Sequence, residues 1–279
     1  MSASVAEKFA RLKALHERDG AFVIPNPWNA GSARILTAMG FEALATTSAG
    51  YAFSIGGRDS ETGVTRAGVL ENAREIVEAT DLPVSADLEE GFGRSPEACA
   101  ETIRLASAAG LAGGSIEDAT GNPDEPIFDF ALARERIVAA CEAAREVPFV
   151  LTARAENYLH GRRDLDDTIK RLNAFSEAGA DVLYAPGLPD LDAIREVCNA
   201  VDKPVNVVMG LSGPRYTLAQ LQDAGVKRIS VGGAFARVAF GAFMRAAEEV
   251  KEHGTFNFAD NAVPDAEIRR FMSAAKRQP

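Results

Sequence analysis

Asp87 and Glu89 stand two positions apart in the stretch PVSADLEEGFGRSPE, directly after an apolar run and directly before a glycine turn. If the extended conformation persists to Glu89, their side chains leave on the same side of the strand, and Glu90 points elsewhere. Glu117 lies at the end of the next strand-like run, in SIED, and Asp59 lies in the preceding loop, GGRDSETG. Neighbouring strands run about 4.8 Å apart, so these four carboxylates would share one mouth. Each close pair costs roughly 3 kcal/mol at about 5 Å and an effective dielectric near 20. Protonation, Arg154 at the end of PFVLTAR, or a divalent cation would have to offset that repulsion. One arginine cannot neutralise four carboxylates, and an all-oxygen set without His or Cys suits a hard ion, Mg²⁺ first and Mn²⁺ next.

Arg154, leaving a buried strand at that mouth, would either grip a substrate carboxylate or phosphonate bidentately or pair with Glu117 or Glu156. Thr47 and Ser48, followed by Ala49 and Gly50, offer hydroxyls and backbone N–H groups to an anion, or form a tight turn. Asn206 ends a later strand on the same side. Other chemistries find less material. A Schiff-base lysine would have to face the interior, whereas Lys203 and Lys227 precede their strands. Of the three histidines only His160, six residues past Arg154, falls near the mouth. Cys99, Cys141 and Cys198 sit in helical segments without a CxxC spacing and read as small buried residues.

The elements that must position these groups follow a repeated grammar. TAMGFEALATTSAG, SAAGLAGGSIEDAT, SEAGADVLYAPG and QDAGVKRISVGG each close a helix on a glycine and continue into a β-rich run. DLPVSAD, EVPFVLTAR and DKPVNVV are entered through proline, and AFVIP completes eight strands. Helical patterns occupy 29–39, 66–79, 95–109, 130–146, 166–178, 190–200, 215–224 and 234–250. Eight alternating β and α units predict a parallel (β/α)8 barrel over a doubly wound open sheet, with active-site residues at the C-terminal strand ends. Further helices are expected at 5–18 and 264–275, so a single barrel domain spans 1–279 with 257–279 as a helical extension. That extension can pack on its own barrel or on a neighbouring subunit.

With 40 acidic against 30 basic residues the formal charge is −10, which disfavours nucleic acid, and no apolar run approaches the length of a membrane span. No signal-peptide pattern opens the chain, so a cytoplasmic protein acting on a small molecule is expected.

Taken together, SADLEEGFG, SIED thirty residues after Asp87, TARAENYLHG and the upstream TSAGYAFSIGGRDSETG resemble the isocitrate lyase/phosphoenolpyruvate mutase superfamily, from about residue 8 to 256. The resemblance implies a barrel whose eighth helix is exchanged between subunits of a dimer or tetramer. It implies Mg²⁺ bound through Asp87, with Asp59, Glu89 and Glu117 holding the metal's waters, a carboxylate-gripping Arg154 and an anion-binding turn at Thr47 and Ser48. Such enzymes act on small α-keto or α-hydroxy acids through an enolate-like species. Two departures stand out. The loop EDATGNPDEPIFDF lacks the Lys, Cys and His of the isocitrate-type lyases, and of the mutases' Lys and Asn only Asn122 has a counterpart. The resemblance therefore implies a C–C lyase that works without the loop cysteine, with phosphonate mutase or P–C hydrolase chemistry as the alternative and a non-catalytic acid-binding barrel as a third reading. Water, Tyr51 or His160 remains to serve as general acid.

Overall fold

The computed structural model describes residues 3–59 and 64–273. Eight short strands, β1 (Phe22–Ile24), β2 (Leu44–Ala45), β3 (Val84–Asp87), β4 (Gly113–Glu117), β5 (Val150–Arg154), β6 (Val182–Tyr184), β7 (Val205–Val208) and β8 (Arg228–Ser230), pair in parallel in the order β1-β8-β7-β6-β5-β4-β3-β2. The remaining seam, between β1 and β2, is held by the Ala45 N–H donating to the Pro25 carbonyl at 3.0 Å. Asn26 reinforces it. Its amide donates to the Thr46 carbonyl at 2.8 Å and accepts the Val231 and Gly232 N–H groups, so one buried side chain ties three strand ends together. The expected (β/α)8 barrel is the observed architecture.

Apart from α3, which no apolar period announces, the helices follow the apolar periodicity closely: α1 (Val5–Glu17), α2 (Ala30–Ala38), α3 (Ser48–Ser54), α4 (Arg66–Glu78), α5 (Pro96–Ala108), α6 (Phe130–Arg145), α7 (Leu165–Ala178), α8 (Leu191–Ala200), α9 (Leu218–Asp223), α10 (Ala234–His253) and α11 (Asp265–Ser273). Side chains cap the starts of α1 to α9; Ser95, for example, caps α5 ahead of a first-turn proline, whereas α10 follows Gly233 without a side-chain cap. Left-handed glycines end four of them, Gly40, Gly110, Gly179 and Gly225 having φ of 91°, 91°, 112° and 95°. The helix expected at 215–224 begins later, at Leu218, behind the capping box of Thr217 and Gln220. A short 3-10 helix, Asn257–Asn261, joins α10 to α11, and the last two residues of the helix expected at 264–275 lie outside the described residues.

The core lies between the strands and the outer helices, where Leu44, Ile76, Ile103, Ile116, Leu151, Phe175 and Leu183 pack in one cluster. A second cluster closes the N-terminal end, with Leu12 and Leu15 of α1 meeting Phe22, Ile24, Val150 and Val182. Each such buried leucine contributes about 1.5–3 kcal/mol, and plugging this end leaves the C-terminal end as the open mouth. α10 is different. Only Ala234 and Ala236 of its twenty residues are buried, whereas α11 folds back onto α2 of the same chain, where Arg34 donates to the Met272 carbonyl.

Candidate active site

The C-terminal mouth opens into a cavity of about 910 Å³ whose wall includes Thr47, Ser48, Asp59, Asp87, Glu89, Glu117, Arg154 and Asn206. All eight residues singled out in the sequence therefore meet there, brought in by strands β2, β3, β4, β5 and β7 or the loops that follow them.

Arg154 is the hub. Its Nη1 meets Asp87 Oδ1 at 2.9 Å, its Nη2 meets Glu117 Oε2 at 3.1 Å and its Nε meets Glu156 Oε1 at 2.8 Å, and the guanidinium lies 5.1 Å from the centre of the Tyr184 ring. The pairing is legible in strand geometry, because Arg154 and Glu117 are in register across β4 and β5. Burial opposes its charge, but Glu117, Glu156 and Asp87 outweigh that and hold the guanidinium protonated. Of its five N–H donors, three are committed to carboxylates and two remain.

Asp87 is clamped from two further sides. Its N–H donates to Thr46 Oγ1 at 3.0 Å, and Ser48 Oγ donates to Asp87 Oδ2 at 2.9 Å. Ser48 is therefore committed to the acid cluster, and Thr47 Oγ1 caps α3 by accepting the Gly50 N–H at 3.3 Å. The expected anion turn is the start of a short helix; the Ser48 hydroxyl is spent on Asp87, whereas the Thr47 oxygen accepts and its proton stays available at the cavity wall.

Glu89 arrives by a different route from the one alternation predicts. β3 ends at Asp87, and Glu89 takes a left-handed φ of 50°, a conformation costing a bulky residue of order 1–3 kcal/mol. The turn is imposed by Leu88, fully buried in the core, and by the Glu117 N–H, which donates to the Glu89 carbonyl at 3.0 Å. The carboxylate still reaches the cavity, where burial and then the Asp87 charge push its pKa up to about 8. Asp59 is raised by the same two causes. Glu90 turns away, and its carbonyl accepts from the buried Arg136.

Glu89 Oε1 and Asp59 Oδ1 are buried and have no hydrogen-bond partner. Two orphaned carboxylate oxygens beside Asp87 are what a hydrated hard cation would satisfy. Among the described residues no three Asp, Glu, His or Cys side chains gather as direct ligands, because Arg154 stands between Asp87 and Glu117. That arrangement suits Mg²⁺, which takes one or two carboxylates and keeps its waters; Asp87 would ligate, and Asp59, Glu89 and Glu117 would hold the waters.

Several other expectations are resolved by position. Tyr51 turns its hydroxyl toward Gly68 of α4 and does not line the cavity, which removes it as a general acid. His160 does line it. Asn122 accepts the Asp124 N–H at 3.0 Å within its own loop, also outside the cavity wall, so it does not supply the mutase asparagine. Lys227 lies at the opposite end, donating to the Gly20 carbonyl at 2.7 Å. Burial pushes the thiols of Cys99, Cys141 and Cys198 up to about 11, 12 and 11, leaving them inert as nucleophiles. Asp118, beside Glu117, proves structural: it accepts the Glu156 N–H at 2.8 Å and pairs with Arg171 at 3.0 Å.

Residues 12–251 match the family described as phosphoenolpyruvate phosphomutase. The chain belongs to the isocitrate lyase/PEP mutase superfamily. The 2-methylisocitrate lyase of Escherichia coli is 30% identical over 230 residues, covering 80% of this chain and 76% of that enzyme. A solved structure from Burkholderia cenocepacia J2315, described provisionally as a lyase/mutase, is 58% identical with a TM-score of 0.94 and covers 98% of each chain. A solved 2,3-dimethylmalate lyase is 26% identical with a TM-score of 0.86, covering 98% of this chain and 96% of its own. Within the superfamily both lyases and mutases occur, and the choice between them rests on the site.

Proposed function

We propose that this superfamily member is a Mg²⁺-dependent lyase that cleaves a C–C bond of a small α-keto or α-hydroxy carboxylic acid through an enolate-like intermediate. The observation that carries the reading is the Arg154 hub, three carboxylates held around one guanidinium beside two orphaned acid oxygens, in a mouth whose wall holds neither lysine nor cysteine among the described residues. Such a site works by preorganised electrostatics and needs no covalent intermediate.

Bound Mg²⁺ would act as a Lewis acid that stabilises negative charge developing on the substrate oxygens. Asp87, aligned by Ser48 and Thr46, would hold it. Arg154 would spend its two remaining N–H donors on the substrate carboxylate, fixing the scissile bond over the acid cluster. Glu117 keeps Arg154 in that orientation. Asp59, with Oδ1 free and its pKa raised, suits the removal of a hydroxyl proton as the C–C bond breaks. His160 or water then delivers a proton to the enolate carbon. Asn206 contributes to the far wall.

Phosphonate chemistry is the weaker reading, because the loop has no lysine and its Asn122 stays outside the cavity wall. Assaying malate-type and 2-oxo diacids together with phosphonopyruvate, each with and without Mg²⁺, tests the choice. The expected result is Mg²⁺-dependent C–C cleavage; turnover of phosphonopyruvate alone, or saturable acid binding without any turnover, would contradict it.

A further inference from the structure

Arg228 carries a positive charge inside the barrel that the acid cluster does not use. It stands on β8 in register with Asn206 of β7, is 5% exposed, and lines the same cavity as Arg154. Its Nε donates to Asn206 Oδ1 at 2.8 Å and its Nη2 to Thr152 Oγ1 at 3.0 Å, both neutral acceptors. Nη1 is sealed from solvent and has no acceptor at all.

The other buried arginines are accounted for. Arg136 donates to the carbonyls of Gly93 and Glu90, Arg171 pairs with Asp118 and Asp167, and Arg154 holds its three acids. Arg228 meets no carboxylate among the described residues; the charged neighbour is Arg154, and burial together with that like charge lowers its pKa to about 10. A guanidinium serving only as filler would be replaced to advantage by an apolar side chain of similar volume, because an unpaired buried charge is destabilising. Two of its five N–H donors are spent, leaving three. Ser230, which accepts from Asn206 Nδ2 at 3.2 Å, keeps its own hydroxyl proton free on the same wall.

We infer that Arg228 receives a second anionic group of the substrate, so that the cavity selects a diacid, with one carboxylate on Arg154 and the other on Arg228. The inference rests on the reading above only in that the cavity binds a small acid; it requires neither the metal nor turnover. Arg228 is then the specificity residue, and its three unspent donors gain their acceptor from the ligand.

Equilibrium titration of the full chain with pairs differing by one carboxylate, malate against lactate and oxaloacetate against pyruvate, tests it. The wild type should bind each diacid at least tenfold more tightly than its partner. Arg228→Met should remove that preference while changing monoacid affinity less than twofold. Arg228→Gln, which keeps an amide donor in the buried polar cluster but not the charge, should show the same loss and serves if the Met variant does not fold. A diacid preference that survives both substitutions, or an equal loss for diacid and monoacid, would overturn the assignment. Binding of neither class by the wild type would overturn the small-acid reading itself, and this inference with it.

Discussion

Arg154 can be replaced by lysine without loss of charge, but not without loss of geometry. A lysine ammonium cannot hold Asp87, Glu117 and Glu156 in one plane as the fork does, so Arg154→Lys should lower kcat/KM on the active substrate by about a hundredfold, roughly 3 kcal/mol of transition-state stabilisation. Steady-state kinetics reads this directly. His16, buried in α1 at the closed end of the barrel, bears on stability. Its Nδ1–H donates to the Leu12 carbonyl at 2.8 Å, its Nε2 is buried without a partner, and burial, then Arg228, push its pKa down to about 3. The unfolded chain takes up a proton below about 6.5 that the folded chain refuses until about 3. Stability is therefore fully present above pH 6.5 and falls on acidification through that window, by up to about 1.4 kcal/mol per pH unit from this group. Denaturant unfolding across pH 4–7 should show a shallower slope for His16→Leu than for the wild type. At this scale the acids and Arg154 were readable because polar residues ending apolar runs must face the mouth. Arg228 was not, because an arginine after a lysine in VKRISVGG looks like surface charge until the strand's alternation turns it inward.

At the scale of elements, β4 delivers Glu117 through two glycines that its packing requires. A Cβ on Gly113 would lie 2.7 Å from the Val150 carbonyl oxygen, a backbone atom of the neighbouring strand, and one on Gly114 would lie 2.7 Å from Leu88 Cδ1. Gly113→Ala must therefore push β4 away from β5 and disturb the Glu117–Arg154 register. A cost of about 2 kcal/mol is expected, read as a thermal midpoint lower by roughly 4–8 °C, with activity falling further than stability alone explains; an unchanged midpoint would show that β4 has room. The β/α alternation was legible because glycine caps, proline entries and apolar periods all agreed. α3 was missed because its seven residues, SAGYAFS, carry no apolar period long enough to register, and the turn at Glu89 because a local pattern does not reveal that Leu88 is held by the core.

For the whole molecule the telling feature is α10, which leaves Val238 69%, Phe243 70% and Met244 57% exposed. An apolar helix face of that kind calls for a partner, and we propose that a second copy of this chain covers it, the helix exchange that the family resemblance implies. Phe243→Glu should shift the mass measured by light scattering from oligomer toward monomer, and an unchanged mass would assign that face another role. Among the described residues no helix is long and apolar enough to cross a membrane. In the mouth, on the function proposed, Asp87, Asp59, Glu89 and Glu117 would cradle one hydrated divalent cation. Calorimetric titration of Mg²⁺ into the full chain and into Asp87→Asn tests it most directly. A single saturable site in the wild type, weakened at least tenfold by the substitution while the fold is retained, is the predicted result; no binding heat in the wild type, or identical binding in both proteins, would contradict it.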